Sequence, residues 1–136
     1  MLDLMLALML WLETNTNYNI PDSPPVEFVS REDLQKLTGG EIGTFSEAVA
    51  VFDLERKVIY LPKDFNYRNV LDQSRLLHEL VHWLQVVNNI PYRCKELREP
   101  EAYTLQAKYL NERGVDASNH KYLSLFLGSC PGDFQY

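Results

Sequence analysis

The chain has 136 residues, of which 46% are hydrophobic, and a formal net charge of −6 at pH 7. This length suits one domain over residues 1–136, because two cores of half the size would each bury too little apolar surface to fold unaided. The acidic residues are scattered and Lys and Arg form no stripe, so the composition excludes a typical partner surface for nucleic acid or an anionic membrane.

The first twelve residues, MLDLMLALMLWL, are apolar enough to suggest either a targeting element or a packed helix. A secretory signal starts with positive charge and ends at a small-residue cleavage site, whereas here Asp3 stands near the start and ETNTNYN follows. The run is also shorter than a membrane span requires. We predict a packed helix ending near Asn15, no integral membrane span and no convincing signal peptide, which leaves open whether the protein is exported, periplasmic or cytoplasmic.

Short β-rich segments follow the proline-containing connector PDSPP. VEFV alternates like a strand, and Ser30 is placed to cap a short helix over REDLQKL, with Asp33 at the capping-box position. EAVAVFD and KVIYLP predict an antiparallel hairpin over about residues 47–62. Gly39 and Gly40 are expected to end the short helix before this hairpin.

Two longer helices are predicted in the second half of the chain. Apolar residues recur at helical spacing from about Leu71 to NNIP, and a second helix should run from Pro100 to about Arg113, with Gly114 as its stop. The last segment, HKYLSLFLGSCPGDFQY, should begin as a short helix or strand and finish as a loop. The predicted fold class is α+β, with a small antiparallel sheet or hairpin packed on the first helix and on an antiparallel second helix.

The first of these helices carries the pattern H-E-x-x-H, formed by His78, Glu79 and His82. Residues four apart lie on one helical face, so both imidazoles can reach one ion, while the glutamate stands beside its open position. Two histidines alone hold zinc poorly, and a third ligand must come from elsewhere. A glycine and a histidine three and six residues past the second histidine would complete one known pattern, but Gln85 and Asn88 occupy those positions. No cysteine precedes the motif, which excludes a cysteine ligand from upstream.

The remaining candidates for the third ligand are Glu99 and Glu101 in REPEAY. The helical face of Glu99 is mostly apolar and includes the small residue Ala102, whereas that of Glu101 is solvated, so we favour Glu99. Pro100 disfavours a helical conformation at the residue before it, which would put Glu99 at the cap and keeps Glu101 as the alternative.

HELVHWLQ followed by EPEAYTLQ resembles zincin metallopeptidases of the gluzincin kind, in which a later helix supplies a glutamate ligand with a small residue three positions after it. The order of elements is similar to a small, largely uncharacterised bacterial family of zincin-like domains with HELVHxLQ and EAYxLQ motifs, over most of the chain. The resemblance implies one zinc ion bound by His78, His82 and Glu99. Larger gluzincins have an aspartate four residues after the glutamate, orienting the first histidine. Tyr103 occupies that position here and is the candidate for this supporting role.

The resemblance also implies peptide hydrolysis by zinc-activated water, with Glu79 as general base and then acid on a peptide or protein substrate. An edge strand, VIYL or its neighbour, would align the substrate. His120, Tyr103 and Tyr122 are candidates by residue type to stabilise the oxyanion. Two alternatives stay open: a zincin-shaped binding module with a structural or inactive metal site, and a hydrolase of non-peptide amides. The sequence predicts neither the substrate specificity nor the oligomeric state.

The chain has two cysteines, Cys94 and Cys130. They could form a disulfide, which would add about 4 kcal/mol on the chain-entropy model, or remain buried thiols. A third interpretation places a Cys130 thiolate near the zinc, where it would hold the enzyme latent.

Overall fold

A computed structural model describes residues 1–37, 49–119 and Cys130. In these residues the chain forms, in order, α1 (Leu2–Asn15), β1 (Val26–Val29), α2 (Arg31–Leu37), β2 (Val51–Asp53), β3 (Val58–Pro62), α3 (Val70–Val87), a short 3-10 turn (Lys95–Arg98) and α4 (Glu99–Glu112). The predicted α+β class is confirmed. The predictions for Gly39–Gly40, for residues 47–48 and for the segment around Cys130 lie outside the described residues.

The three strands form one mixed sheet in the order β1-β3-β2. The predicted hairpin is present, since β2 pairs antiparallel with β3 with Val51 opposite Tyr60. The described part of its first strand is shorter than predicted, starting at Val51. β1 pairs with β3 in parallel, with Val26 opposite Ile59, so a purely antiparallel sheet was wrong. Parallel neighbours need a crossover connection, and α2 lies in that connection.

Local hydrogen bonds explain where α2 and β3 begin. The Ser30 hydroxyl accepts the Asp33 N–H at 3.1 Å, which is the predicted cap of α2. In the β-hairpin, the Asp53 carboxylate accepts the N–H groups of Glu55 and Arg56 at 2.9 and 3.0 Å, holding the turn before β3. These bonds satisfy backbone donors that the strands and helix leave unpaired.

The N-terminal helix is packed, as predicted, and ends at Asn15. Its buried residues recur at helical spacing and belong to the same core as α3 and the sheet: Leu4, Met5, Leu8 and Leu12. On the α4 side, the Trp11 ring meets Tyr109 edge-on and its indole N–H donates to Glu112 at 2.7 Å. In the described residues, no helix has both the length and the apolar character needed to cross a membrane.

The long helix α3 lies between the sheet and α4, and its core-facing residues are buried. It begins where the Asn69 side chain accepts the Asp72 N–H at 3.0 Å. At Val87 it ends close to the predicted NNIP boundary. The H-E-x-x-H motif is therefore held in the middle of a packed helix, away from its fraying ends.

The helix α4 starts one residue earlier than predicted. Glu99 has helical angles, φ −72° and ψ −40°, although it precedes Pro100. The placement of Glu99 at the cap was therefore wrong, because the 3-10 turn runs straight into α4 and already gives the chain a helical course. At the other end, Gly114 takes φ 75° and stops the helix as predicted, since this left-handed conformation is strained for other residues.

Candidate metal centre

Three side chains able to bind a metal converge between α3 and α4. His78 Nε2 lies 3.1 Å from His82 Nε2. Glu99 completes the group, with its Oε2 atom 3.3 Å from His78 Nε2 and its Oε1 atom 2.6 Å from His82 Nε2. Among the described residues this group is able to hold a metal ion.

The spacing of these atoms fits a small tetrahedral ion. Bonds of about 2.0–2.1 Å separate the ligand atoms of a tetrahedral site by roughly 3.3–3.4 Å. The His78–His82 and His78–Glu99 separations, 3.1 and 3.3 Å, are close to this value. The His82–Glu99 separation of 2.6 Å is a direct hydrogen bond and would have to lengthen. Two imidazole nitrogens and one carboxylate oxygen are also a common ligand set of catalytic zinc, with one position left for water or substrate.

The orientation of His78 is set by a chain of hydrogen bonds from α4 back to α3. His78 Nδ1 donates to the amide oxygen of Gln106 at 2.8 Å, and Gln106 Nε2 donates to the Ser74 hydroxyl at 3.1 Å. The Ser74 hydroxyl in turn donates to the Leu71 carbonyl at 2.6 Å. Because an amide oxygen can only accept, Nδ1 carries a proton. Nε2, which faces Glu99, is therefore the nitrogen left for an ion at the point between His78, His82 and Glu99, which we call the metal point.

His82 is oriented in the same way by a second glutamine. Its Nδ1 donates to the amide oxygen of Gln85 at 3.0 Å, and Gln85 Nε2 donates to the Arg98 carbonyl and to Glu101 Oε1 at 3.0 and 3.1 Å. Tyr18 also donates to Glu101 Oε1, at 2.5 Å. Both partners of the Gln85 amide nitrogen are acceptors, so this chain of bonds also places the Nδ1 proton away from the metal point.

The two chains of bonds account for all the buried polar side chains of the described residues. Five polar side chains are buried in that part of the protein: Ser74, His78, His82, Gln85 and Gln106. A buried polar group costs free energy unless it is hydrogen-bonded, and here each one contributes to orienting a histidine. Within the described residues, the buried polar side chains are thus concentrated at this one point.

His82 and Glu99 strongly affect each other's ionisation. Burial opposes ionisation of Glu99, but hydrogen bonds from His78 and His82 outweigh it and hold the pKa of this carboxyl well below its ordinary value. Burial also opposes the charge of His82, but the hydrogen bond to Glu99 and the charges of Glu79 and Glu99 raise its pKa to about 9. The point where the three side chains meet therefore favours positive charge. A proton and a metal ion would compete for this position.

Glu79, the motif's glutamate, faces the sheet beside this point. The Phe52 backbone of β2 lies close enough to its carboxylate to favour the charged form. Burial raises the pKa of Glu79, as does the charge of Glu99, while His78 and His82 offset only part of this rise. A carboxyl group with a raised pKa beside a metal point suits a group that takes up and returns a proton.

The histidines, Glu79 and Glu99 line a cleft of about 520 Å³. One wall is the β2 segment, and the opposite wall is the 3-10 turn with the start of α4. The other lining residues are Ala50, Val51, Phe52 and Leu54 from the first wall and Lys95, Glu96, Arg98 and Tyr103 from the second. We call this space the cleft.

The structure separates the two glutamates that the sequence left as alternatives. Glu99 points to the histidines, whereas Glu101 is bonded to Gln85 and Tyr18. Tyr103, the expected support of His78, meets that histidine through its ring, with centroids 4.5 Å apart and an angle of 67°. His78 Nδ1 donates its hydrogen bond to Gln106. Tyr103 therefore packs against His78, while Gln106 orients it.

The structure also shows the state of the two cysteines. Cys94 and Cys130 form a disulfide. Cys94 directly precedes the 3-10 turn, so the bridge anchors the chain just before one wall of the cleft. The interpretation of Cys130 as a thiolate near the metal was wrong, because its sulfur is bonded to Cys94. His120 and Tyr122 lie outside the described residues.

Sequence reasoning missed the two glutamines that orient the histidines. Gln85 follows His82 by three residues, and Gln106 follows Glu99 by seven, two helical turns on. Both spacings put the side chain on the same helical face as the ligand. Amide side chains on the helical faces of the ligands are the signal in the sequence that identifies both.

Replacing Gln106 tests the orienting bond directly. Gln106→Leu removes the acceptor of His78 Nδ1 and is expected to weaken zinc binding about 10- to 100-fold. Gln106→Glu keeps an acceptor and should retain most of the affinity. Competition titration against a zinc-binding dye measures both, and equal affinities for Gln106→Leu and the wild type would contradict the assigned role.

Comparison with known proteins gives one match. A family model described as "Domain of unknown function (DUF6647)" matches residues 1–133. No curated protein and no solved structure matches the chain.

Proposed function

The chain belongs to the DUF6647 family, and we propose from its geometry that it is a zinc-dependent peptidase of the gluzincin kind. The observation that carries the proposal is the convergence of His78, His82 and Glu99, with Glu79 beside them in an open cleft. A purely structural metal site has no use for a general base next to its ligands. The resemblance of HELVHWLQ and EPEAYTLQ to gluzincins supports the same conclusion.

The proposed chemistry divides between the ion and Glu79. His78, His82 and Glu99 would hold the zinc ion, which when bound would act as a Lewis acid toward a substrate carbonyl and toward water. Glu79 takes a proton from the attacking water on a carboxylate oxygen and later gives it to the leaving amine nitrogen. Phe52 of β2 lines the cleft together with Glu79. The C–N bond breaks with no covalent bond to the protein.

The substrate strand would lie along β2. VIYL belongs to β3, the central strand, whose two edges are already paired with β1 and β2. Among the described residues β2 lies at one edge of the sheet, and it lines the cleft through Val51 and Phe52. An extended peptide can add to such an edge by backbone hydrogen bonds. The strand predicted as the neighbour of VIYL is therefore the one that suits substrate alignment.

Metal removal tests the proposed activity. The purified protein, loaded with zinc, is expected to cleave an unstructured substrate such as reduced casein. Dialysis against a chelator should abolish cleavage, and one equivalent of zinc should restore it. The readout is the rate of new amino termini. Cleavage that persists without metal would contradict the proposal, and zinc binding with no cleavage would favour the binding module instead.

A further inference from the structure

One cation in the cleft has no anionic partner among the described residues. Arg98, the last residue of the 3-10 turn, lines the cleft together with the metal-binding side chains. Its Nε atom is shielded from solvent and has no hydrogen-bond partner. Buried charged donors are normally satisfied, so this unpaired donor shows that the described residues do not saturate the Arg98 guanidinium.

The Arg98 side chain is held in place without an ion pair. Its guanidinium lies over the Tyr92 ring, 5.6 Å from the centroid. Only the backbone carbonyl of Arg98 takes part in orienting the metal ligands, by accepting from Gln85. The side chain is therefore positioned by stacking, and its donors do not serve the metal centre.

The acidic residues of the cleft do not neutralise Arg98. Glu99 is bonded to the histidines, and within the described residues no ion pair joins Glu79 to Arg98. Glu96 also lines the cleft, but within the described part of the chain Arg98 forms no ion pair with it or with any other carboxylate. A negatively charged group entering the cleft would meet an uncompensated guanidinium.

We propose that Arg98 forms an anion subsite of the cleft that binds a carboxylate of the peptide substrate. The proposal rests on the proposed peptidase function and specifies its substrate class. A guanidinium offers parallel N–H donors that match the two oxygens of a carboxylate, which favours this group over a neutral amide. The carboxylate can come from an acidic side chain or from the free carboxyl terminus of the peptide.

Binding can be measured without relying on turnover by using the zinc-loaded Glu79→Gln protein. Two peptide pairs separate the two sources of carboxylate. The first pair is acetyl-tetraalanine as free acid and as carboxyl-terminal amide. The second is a pentapeptide blocked at both ends, with Glu or Gln at its centre. Calorimetry gives the ratio of affinities in each pair, and that ratio is less sensitive to small changes in fold than either affinity alone.

The acid member of one pair is expected to bind at least about 10-fold more tightly than its neutral partner. Adding Arg98→Gln should bring the ratio close to one, and Arg98→Lys should restore only part of it. Arg68→Gln is the matched control, because Arg68 also stacks on a tyrosine, 5.4 Å from the ring centroid of Tyr67, but does not line the cleft. It should leave the ratio unchanged.

Three results would overturn the Arg98 proposal. They are ratios near one in both pairs, an acid preference that survives Arg98→Gln, and no measurable binding of either acid peptide. A surviving preference would mean that the zinc or another cation takes the carboxylate. Zinc content should be unaffected by Arg98→Gln, since only the carbonyl of residue 98 supports the ligands. Failure of the peptidase proposal appears separately, as absence of metal-dependent cleavage by the wild type.

Discussion

Replacement of Glu79 by glutamine is expected to leave zinc bound and to lower peptide cleavage by about 10²- to 10⁴-fold. Losses of this size are typical when a general acid–base group is removed. Glutamine has nearly the same shape, but its amide cannot accept a proton from water at neutral pH. Glu79 is not among the three metal-binding side chains, so the metal content should stay at the wild-type value. Cleavage rate and zinc content are measured on the same sample.

A matched control for this variant is Glu32→Gln. It changes an exposed glutamate on α2 that does not line the cleft. It should cleave at the wild-type rate. If Glu79→Gln were as active as the wild type, the cleavage would belong to a contaminating protease. If Glu79→Gln lost its zinc as well, Glu79 would be a ligand or a structural support instead of the general base.

Glu99→Gln and Glu101→Gln should separate the ligand from its neighbour. Losing the Glu99 carboxylate removes one of the three metal ligands and is expected to weaken zinc binding by more than about 100-fold. Glu101 acts only through Gln85, so Glu101→Gln should cost about 10-fold or less. Both variants remove one negative charge from the first turn of α4, which makes them controls for each other.

Competition titrations with a zinc-binding dye give both constants. A larger loss for Glu101→Gln than for Glu99→Gln would reverse the assignment of the third ligand. Similar large losses in both would indicate that the start of α4 has unfolded. Far-ultraviolet circular dichroism of the two variants distinguishes that outcome, since the helix content is expected to stay unchanged.

Much of the fold could be predicted because its signals are local. The helical spacing from Leu71 and the turn at Gly114 act within one or two turns of chain, and the helices end close to the predicted positions. The parallel pairing of β1 with β3 could not be predicted in this way. It joins Val26 to Ile59, across a crossover, and nothing in the four residues of VEFV specifies the direction of its partner.

The candidate site shows the same division between local and distant signals. His78, Glu79 and His82 are recognisable because one helix sets their spacing. The choice between Glu99 and Glu101 depends on how α4 rotates against α3, which hydropathy indicates only weakly. The pairing of Gln106 with His78 spans 28 residues of sequence and depends on that same rotation. Such contacts are specified by packing between elements and are not visible as a motif.

The absence of an aspartate four residues after Glu99 does not leave His78 without support. Tyr103, which occupies that position, was the candidate for orienting His78. In the structure Gln106 orients His78 and Gln85 orients His82, each through an amide oxygen. A neutral amide oxygen accepts the hydrogen bond from Nδ1 without adding charge, so Nε2 of each histidine is kept toward the metal point by another route.

The most direct test of the metal centre is the zinc content of the protein after purification without chelators or added metal. Elemental analysis by mass spectrometry should find about one zinc per chain in the wild type and almost none in His82→Ala, which removes one of three ligands. A wild-type protein without zinc that also fails to bind added zinc would contradict the metal centre, as would full zinc content in His82→Ala.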